Sequence, residues 1–149
     1  MERTAKCIID ELLTQSGSKV SVDVRLRFPG GRNVGGKYSM AHHKVTMYLE
    51  EIKKQCLSLF GSLDAFPQVF RIVFAHELGH AEDASLKVLS DLLDASGYEM
   101  ERNRIALRIE ENAWDYAKTL IPEEDQSIMQ TVIYCSLKSY RDAIAGEIA

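Results

Sequence analysis

An α+β fold, a small antiparallel sheet of about three strands followed by a helical body, is predicted for this 149-residue chain by three observations. Over residues 20–28, Val20, Val22, Val24, Leu26 and Phe28 alternate with Ser21, Asp23, Arg25 and Arg27, the period of a strand with one buried face. From residue 50 onward, apolar residues recur at helical spacing. No internal repeat, low-complexity tract or linker divides the sequence, so one domain, 1–149, with its own core is expected.

The elements follow in order. Residues 3–15 carry Cys7, Ile8, Leu12 and Leu13 near helical spacing and stop at Gly17, which predicts a first helix. The strand over 20–28 ends at Pro29-Gly30-Gly31. Gly35-Gly36 opens a second strand over 37–40, and a third runs over 44–49, completing the antiparallel sheet. Residues 52–60 read as a helix. Asp64 is placed to cap the next helix, with Pro67 in its first turn, and that helix continues to about residue 84. A short amphipathic helix over 85–95 ends at Ser96-Gly97. A long helix over 98–120 is stopped by Pro122, and a last one spans about 125–144.

Composition narrows the function classes. Apolar residues at 46%, charged residues at 27%, a net charge of -4 and a pI near 5.6 describe an ordinary globular chain without a nucleic-acid-binding surface. The three cysteines, Cys7, Cys56 and Cys135, are widely spaced and form no C-x-x-C pair, which argues against a disulfide framework and for reduced thiols. The first ten residues hold acidic side chains where a signal peptide needs an apolar stretch, and no apolar run approaches a membrane span. A cytoplasmic protein with no membrane partner is expected.

The chemistry is concentrated in His76-Glu77-Leu78-Gly79-His80, at the end of the apolar run Phe70-Arg-Ile-Val-Phe-Ala75. Helical residues four apart share a face, so His76 and His80 can present both imidazoles to one metal ion. The Glu77 carboxylate then lies beside the metal, placed to take a proton from an attacking water. Two of the four histidines of the chain fall in this motif. A buried helix does not normally carry two His and a Glu without a use for them. Gly79 costs a helix interior roughly 1 kcal/mol relative to Ala, which implies that something packs closely against it. H-E-x-x-H is a zinc-hydrolase signature, so Zn²⁺ is the expected cofactor and a zincin-like arrangement of the helices the expected scaffold.

A hydrolytic zinc site needs a third protein ligand and an open fourth position. The extended signature with a third His is excluded, because Asp83 and Leu86 stand where its Gly and His would be. Two candidates follow on the long helix, Glu110 and Glu111. Glu110 shares its face with Ala106, Ala113 and Ala117, small residues that admit a neighbouring helix, whereas Glu111 lies among Arg104, Arg108, Asp115 and Lys118. Glu110 is therefore preferred. Glu111 stays open as the alternative, since Glu111 and Asp115 form the E-x-x-x-D pair in which an Asp orients a metal-bound His.

Phe70 to His80 together with Glu110-Glu-Asn-Ala-Trp-Asp-Tyr-Ala-Lys-Thr-Leu-Ile-Pro122 resemble the ImmA/IrrE family of metallopeptidases over about residues 36–122. In the family's second motif, E-x-x-A-N-x-F-A before a short Leu-rich stretch and Pro, the ligand Glu maps onto Glu110. Trp114 stands at the Asn position, and the stretch before Pro122 is one residue shorter. The resemblance implies a three-stranded sheet beside a helical bundle. It also implies a zinc endopeptidase that cleaves a specific intracellular protein, a repressor or other regulator in a phage, mobile-element or stress setting. The alternative class is a metal-stabilised interaction module with little or no proteolysis.

Around the motif, Tyr98, Tyr116, His42 and His43 are candidates for a donor to the tetrahedral oxyanion, and the strand with Tyr38 and Met40 can offer an edge to an extended protein or peptide substrate. Glu82 and Asp83 are read as ligand-orienting carboxylates or as a solvated helix end. Trp114 is read as core, and Ile128, Val132, Cys135 and Tyr140 as the packing or homodimer face of the last helix.

Overall fold

The structure, a computed structural model, describes residues 1–30 and 34–148. It is α+β: helix α1 (Glu2–Ser16), strands β1 (Ser21–Arg25), β2 (Gly36–Ser39) and β3 (Lys44–Tyr48), then helices α2 (Leu49–Phe60), α3 (Phe66–Glu82), α4 (Leu86–Ala95), α5 (Glu99–Leu120) and α6 (Gln126–Ile148). The turn expected at Pro29-Gly30-Gly31 lies partly outside the described residues.

The sheet is mixed, not antiparallel. Its order is β1-β3-β2, with β2 antiparallel to β3 and β1 parallel to β3, Ser21 opposite Lys44 and Arg25 opposite Tyr48. The reason lies in the third strand: Val45, Thr46, Met47 and Tyr48 are all buried, so β3 takes the covered centre and the hairpin with β2 inserts it beside β1. β1 is consequently an edge. Its alternation is real, but only Val20 at its start is fully buried, while Val24 and Leu26 are exposed.

Helix α3 is the axis of the molecule. Every residue from Ile72 to His80 is buried, and the helix packs against α1, α2, α5, α6, β2 and β3. A helix covered all round needs apolar residues on every side, which Phe66, Val69, Phe70, Ile72, Val73 and Phe74 supply. Its start differs from expectation: Ala65, not Asp64, is the N-cap and makes no side-chain cap bond, and Pro67 in the first turn, lacking an N–H, lessens the need for one. Arg71 is the exception on this helix. Its guanidinium, 15% exposed, meets Glu11 of α1 at 3.0 Å and Glu123 and Glu124 of the α5–α6 turn at 3.2 Å each, tying three segments together.

Candidate metal centre

The motif places His76 and His80 on one face of α3, and α5 brings Glu110 to both. Glu110 Oε1 lies 3.1 Å from His76 Nε2, and Oε2 lies 3.2 Å from His80 Nε2. The close approach depends on Gly79: a Cβ there would stand 2.4 Å from the carbonyl oxygen of Ala113, one turn beyond Glu110 on α5. The backbones of α3 and α5 touch at this point, and no other residue type fits between them.

His76, His80 and Glu110 form a group that can hold a metal ion, with ligand atoms all within 4.8 Å of one another. The donor set, two imidazoles and a carboxylate, suits zinc and related divalent metals. Glu111 is not in this group. It lies with Arg108, Asp115, Lys118 and Arg141 beside a separate hollow between α5 and α6. Asp115 pairs with Lys118 and orients no imidazole.

The second layer is tight. His76 Nδ1 contacts Glu77 Oε2 at 3.1 Å, and the indole of Trp114 stacks on the His76 ring at 4.3 Å between centroids and 28° between planes. Trp114 Nε1 in turn donates to Ser136 Oγ of α6. Burial works against a charged His76, but the Glu77 charge and the hydrogen bonds with Glu110 and Glu77 outweigh it and hold the imidazole up to about 9. Burial likewise pushes Glu110 upward, yet hydrogen bonds from His76 and His80 win and keep its carboxyl well below the usual carboxylate range. The same contacts that favour a charged His76 would be replaced by a metal ion held on these side chains, since metal binding displaces ligand protons.

Two cavities flank the cluster, of about 460 Å³ on the side of α2 and α6 and about 450 Å³ on the side of β2 and α4. Glu77 lines both, as do His76, Glu110, Gly36 and Tyr140. Gly36 lets β2 run past the catalytic candidate: a Cβ there would meet Glu77 Cγ at 3.0 Å and Met47 Sδ at 2.9 Å.

The remaining residues singled out from the sequence lie elsewhere. Tyr98 is 76% exposed at the start of α5. Tyr116 lies on the other side of α5 beside Glu82, Asp83 and Asn112. His42 and His43 sit in the β2–β3 turn, where His43 Nδ1 bonds the Tyr38 hydroxyl at 2.9 Å. Glu82 accepts from Ser18 Oγ, and Asp83 receives the backbone N–H and hydroxyl of Ser85 at the start of α4, so neither orients a ligand imidazole. Trp114 is core, as expected, and also a wall of the site. Gly36 and Tyr140 were not anticipated here. The Gly35-Gly36 pair was a visible signal for the first, whereas nothing local marks the second.

Comparison with known protein families, curated proteins and solved structures finds no match to this chain. Among the described residues no helix is long and apolar enough to cross a membrane.

Proposed function

We propose that the protein is a zinc metallopeptidase of zincin-like architecture, with His76, His80 and Glu110 as metal ligands and Glu77 as general base. The observation that carries this reading is the bridging of both imidazoles by Glu110 at the boundary of two cavities, with Glu77 facing the same space. A purely structural zinc site is closed by four protein ligands, whereas three ligands beside open volume leave room for water and substrate. The likeness of its two motifs to the ImmA/IrrE metallopeptidases supports the same reading and suggests a specific protein substrate, a regulator rather than bulk peptide.

When bound, the metal supplies Lewis acidity, making water more acidic and polarising the substrate carbonyl. The protein's own groups do the rest. His76 keeps Nε2 for the metal because its Nδ1–H donates to Glu77 Oε2, and Trp114 holds the ring in plane. Glu77 Oε1 accepts a proton from water as the oxygen attacks the carbonyl carbon, and Glu77 returns that proton to the amine as the C–N bond breaks. β2, an outer strand of the sheet, runs past Glu77 at Gly36 and offers backbone groups to an extended chain.

The test is metal content and turnover of purified variants. Wild type is expected to hold one zinc per chain, Glu110→Gln to lose most of it, and Glu111→Gln to keep it. Glu77→Gln is expected to keep zinc and lose roughly 10²–10⁴ in turnover of a mixed peptide pool. A wild-type protein that cannot be loaded with zinc sinks the proposal. Zinc-loaded wild type that cleaves nothing leaves the interaction-module reading.

A further inference from the structure

We propose that Tyr140 is the hydroxyl donor to the oxyanion of the tetrahedral intermediate, an assignment that rests on the peptidase reading above. Attack on a peptide carbonyl places negative charge on its oxygen, and hydrolases of this kind set a preorganised donor where that charge develops. Among the described residues that line both cavities around Glu77, Tyr140 alone carries an O–H. It comes from α6, while Glu77 and the ligands come from α3 and α5, so the donor would be contributed to the shared cavities by a third helix.

The other donors near the site are less well placed. Ser136 and Ser139 border only the cavity on the side of α2 and α6. Lys37 and Tyr38 border only the cavity on the side of β2 and α4. Tyr98, Tyr116, His42 and His43 lie away from the cluster, as described above. Tyr140 is half-buried, so its phenol works in a partly desolvated cleft, where a hydrogen bond to an anion is worth more than in water.

The experiment compares zinc-loaded wild type, Tyr140→Phe and, as a control, Tyr116→Phe. The substrate probe is a degenerate pool of internally quenched octapeptides. A phosphinic pseudodipeptide, whose tetrahedral phosphinate imitates the oxyanion, is titrated in parallel with Trp114 fluorescence as the signal. Tyr140→Phe is expected to lose about 10²–10³-fold in kcat, with KM, zinc content and melting temperature unchanged, and to bind the phosphinate more weakly by a comparable factor. Tyr116→Phe behaves as wild type. Tyr140→Phe with wild-type kcat and phosphinate affinity overturns the assignment and leaves the peptidase reading intact. Zinc-loaded wild type that neither cleaves the pool nor binds the phosphinate overturns both. If Tyr140→Phe loses stability or zinc, Tyr140→His, which keeps a ring and a donor, decides: recovery of tenfold or more of the lost rate supports the role, and no recovery overturns it.

Discussion

At the residue scale, the site reports on itself through the one tryptophan of the chain. Trp114 stacks on His76, a proposed ligand, so the electronic state of that imidazole is written into the indole emission. Loading wild type with Zn²⁺ is expected to change the intensity of Trp114 fluorescence saturably, at one equivalent, and the change is expected to vanish in His76→Ala. Fluorescence that ignores zinc in a protein shown to bind it would place the metal away from His76. The indole also carries structural weight, being 2% exposed, so Trp114→Ala should cost about 3–5 kcal/mol in denaturant unfolding, a cost typical of emptying an aromatic core position. Much of this site was legible in the sequence, because its first part is local. Four-residue spacing on one helix puts His76 and His80 together wherever the helix lies, and the stripe of Ala106, Ala113 and Ala117 favours Glu110, with Glu111 left open until the packing of α5 on α3 brings Glu110 to the imidazoles. Tyr140 was not legible. Its sequence neighbours say only that α6 is amphipathic, and its place on the cavities that Glu77 lines depends on how α6 packs on α5.

At the scale of elements, two contacts decide whether α3 holds its neighbours in register. The first is Gly79 against Ala113. Gly79→Ala must push the backbones of α3 and α5 apart, since the atom in the way is main chain, and overpacking of this kind should cost about 3 kcal/mol or more. The same shift carries Glu110 off the imidazoles, so zinc retention should fall together with thermal stability. A Gly79→Ala protein with wild-type melting and metal content would show that the helices are not in contact. The second is Arg71, held by Glu11, Glu123 and Glu124. Arg71→Met should lose about 1–2 kcal/mol, discounted because Glu11 and Glu123 are more than half exposed. The sign with pH follows from the carboxylates. The hydrogen bond and charge of Arg71 lower Glu11, so its contribution is complete above the ordinary carboxylate pKa of about 4.3 and is lost as pH falls through the lowered value. Burial raises Glu124 against the pull of Arg71, and removing the arginine raises it further, which favours the variant in acid. The gap between wild type and Arg71→Met in urea unfolding should therefore be full at pH 7 and shrink below about pH 4. A gap that widens in acid would refute this. The helices were legible from their periodicity, whereas the pairing of the strands was not. Alternation showed that β1 has two faces, but its partner was set by the burial of Val45 to Tyr48, which makes β3 central and pairs β1 with it in parallel.

For the whole molecule, the proposed metal is also a folding ligand. The two imidazoles and Glu110 come together only when α3 and α5 are packed, so the unfolded chain offers no equivalent site and binding adds to stability by mass action. At zinc one hundred times its dissociation constant, the gain is about 2.7 kcal/mol. For a domain of this size that corresponds to roughly 5–11 °C in melting temperature. Glu77→Gln leaves all three ligands in place and should show nearly the full rise on adding zinc, whereas His80→Ala and Glu110→Gln should show little. This pattern separates the proposed roles, that of Glu77 in turnover and that of the other three in holding the metal. A melting temperature that zinc leaves unmoved in wild type, or raises equally in Glu110→Gln, would mean that the bridged pair of histidines is an internal ion pair and that any metal this protein holds is bound elsewhere.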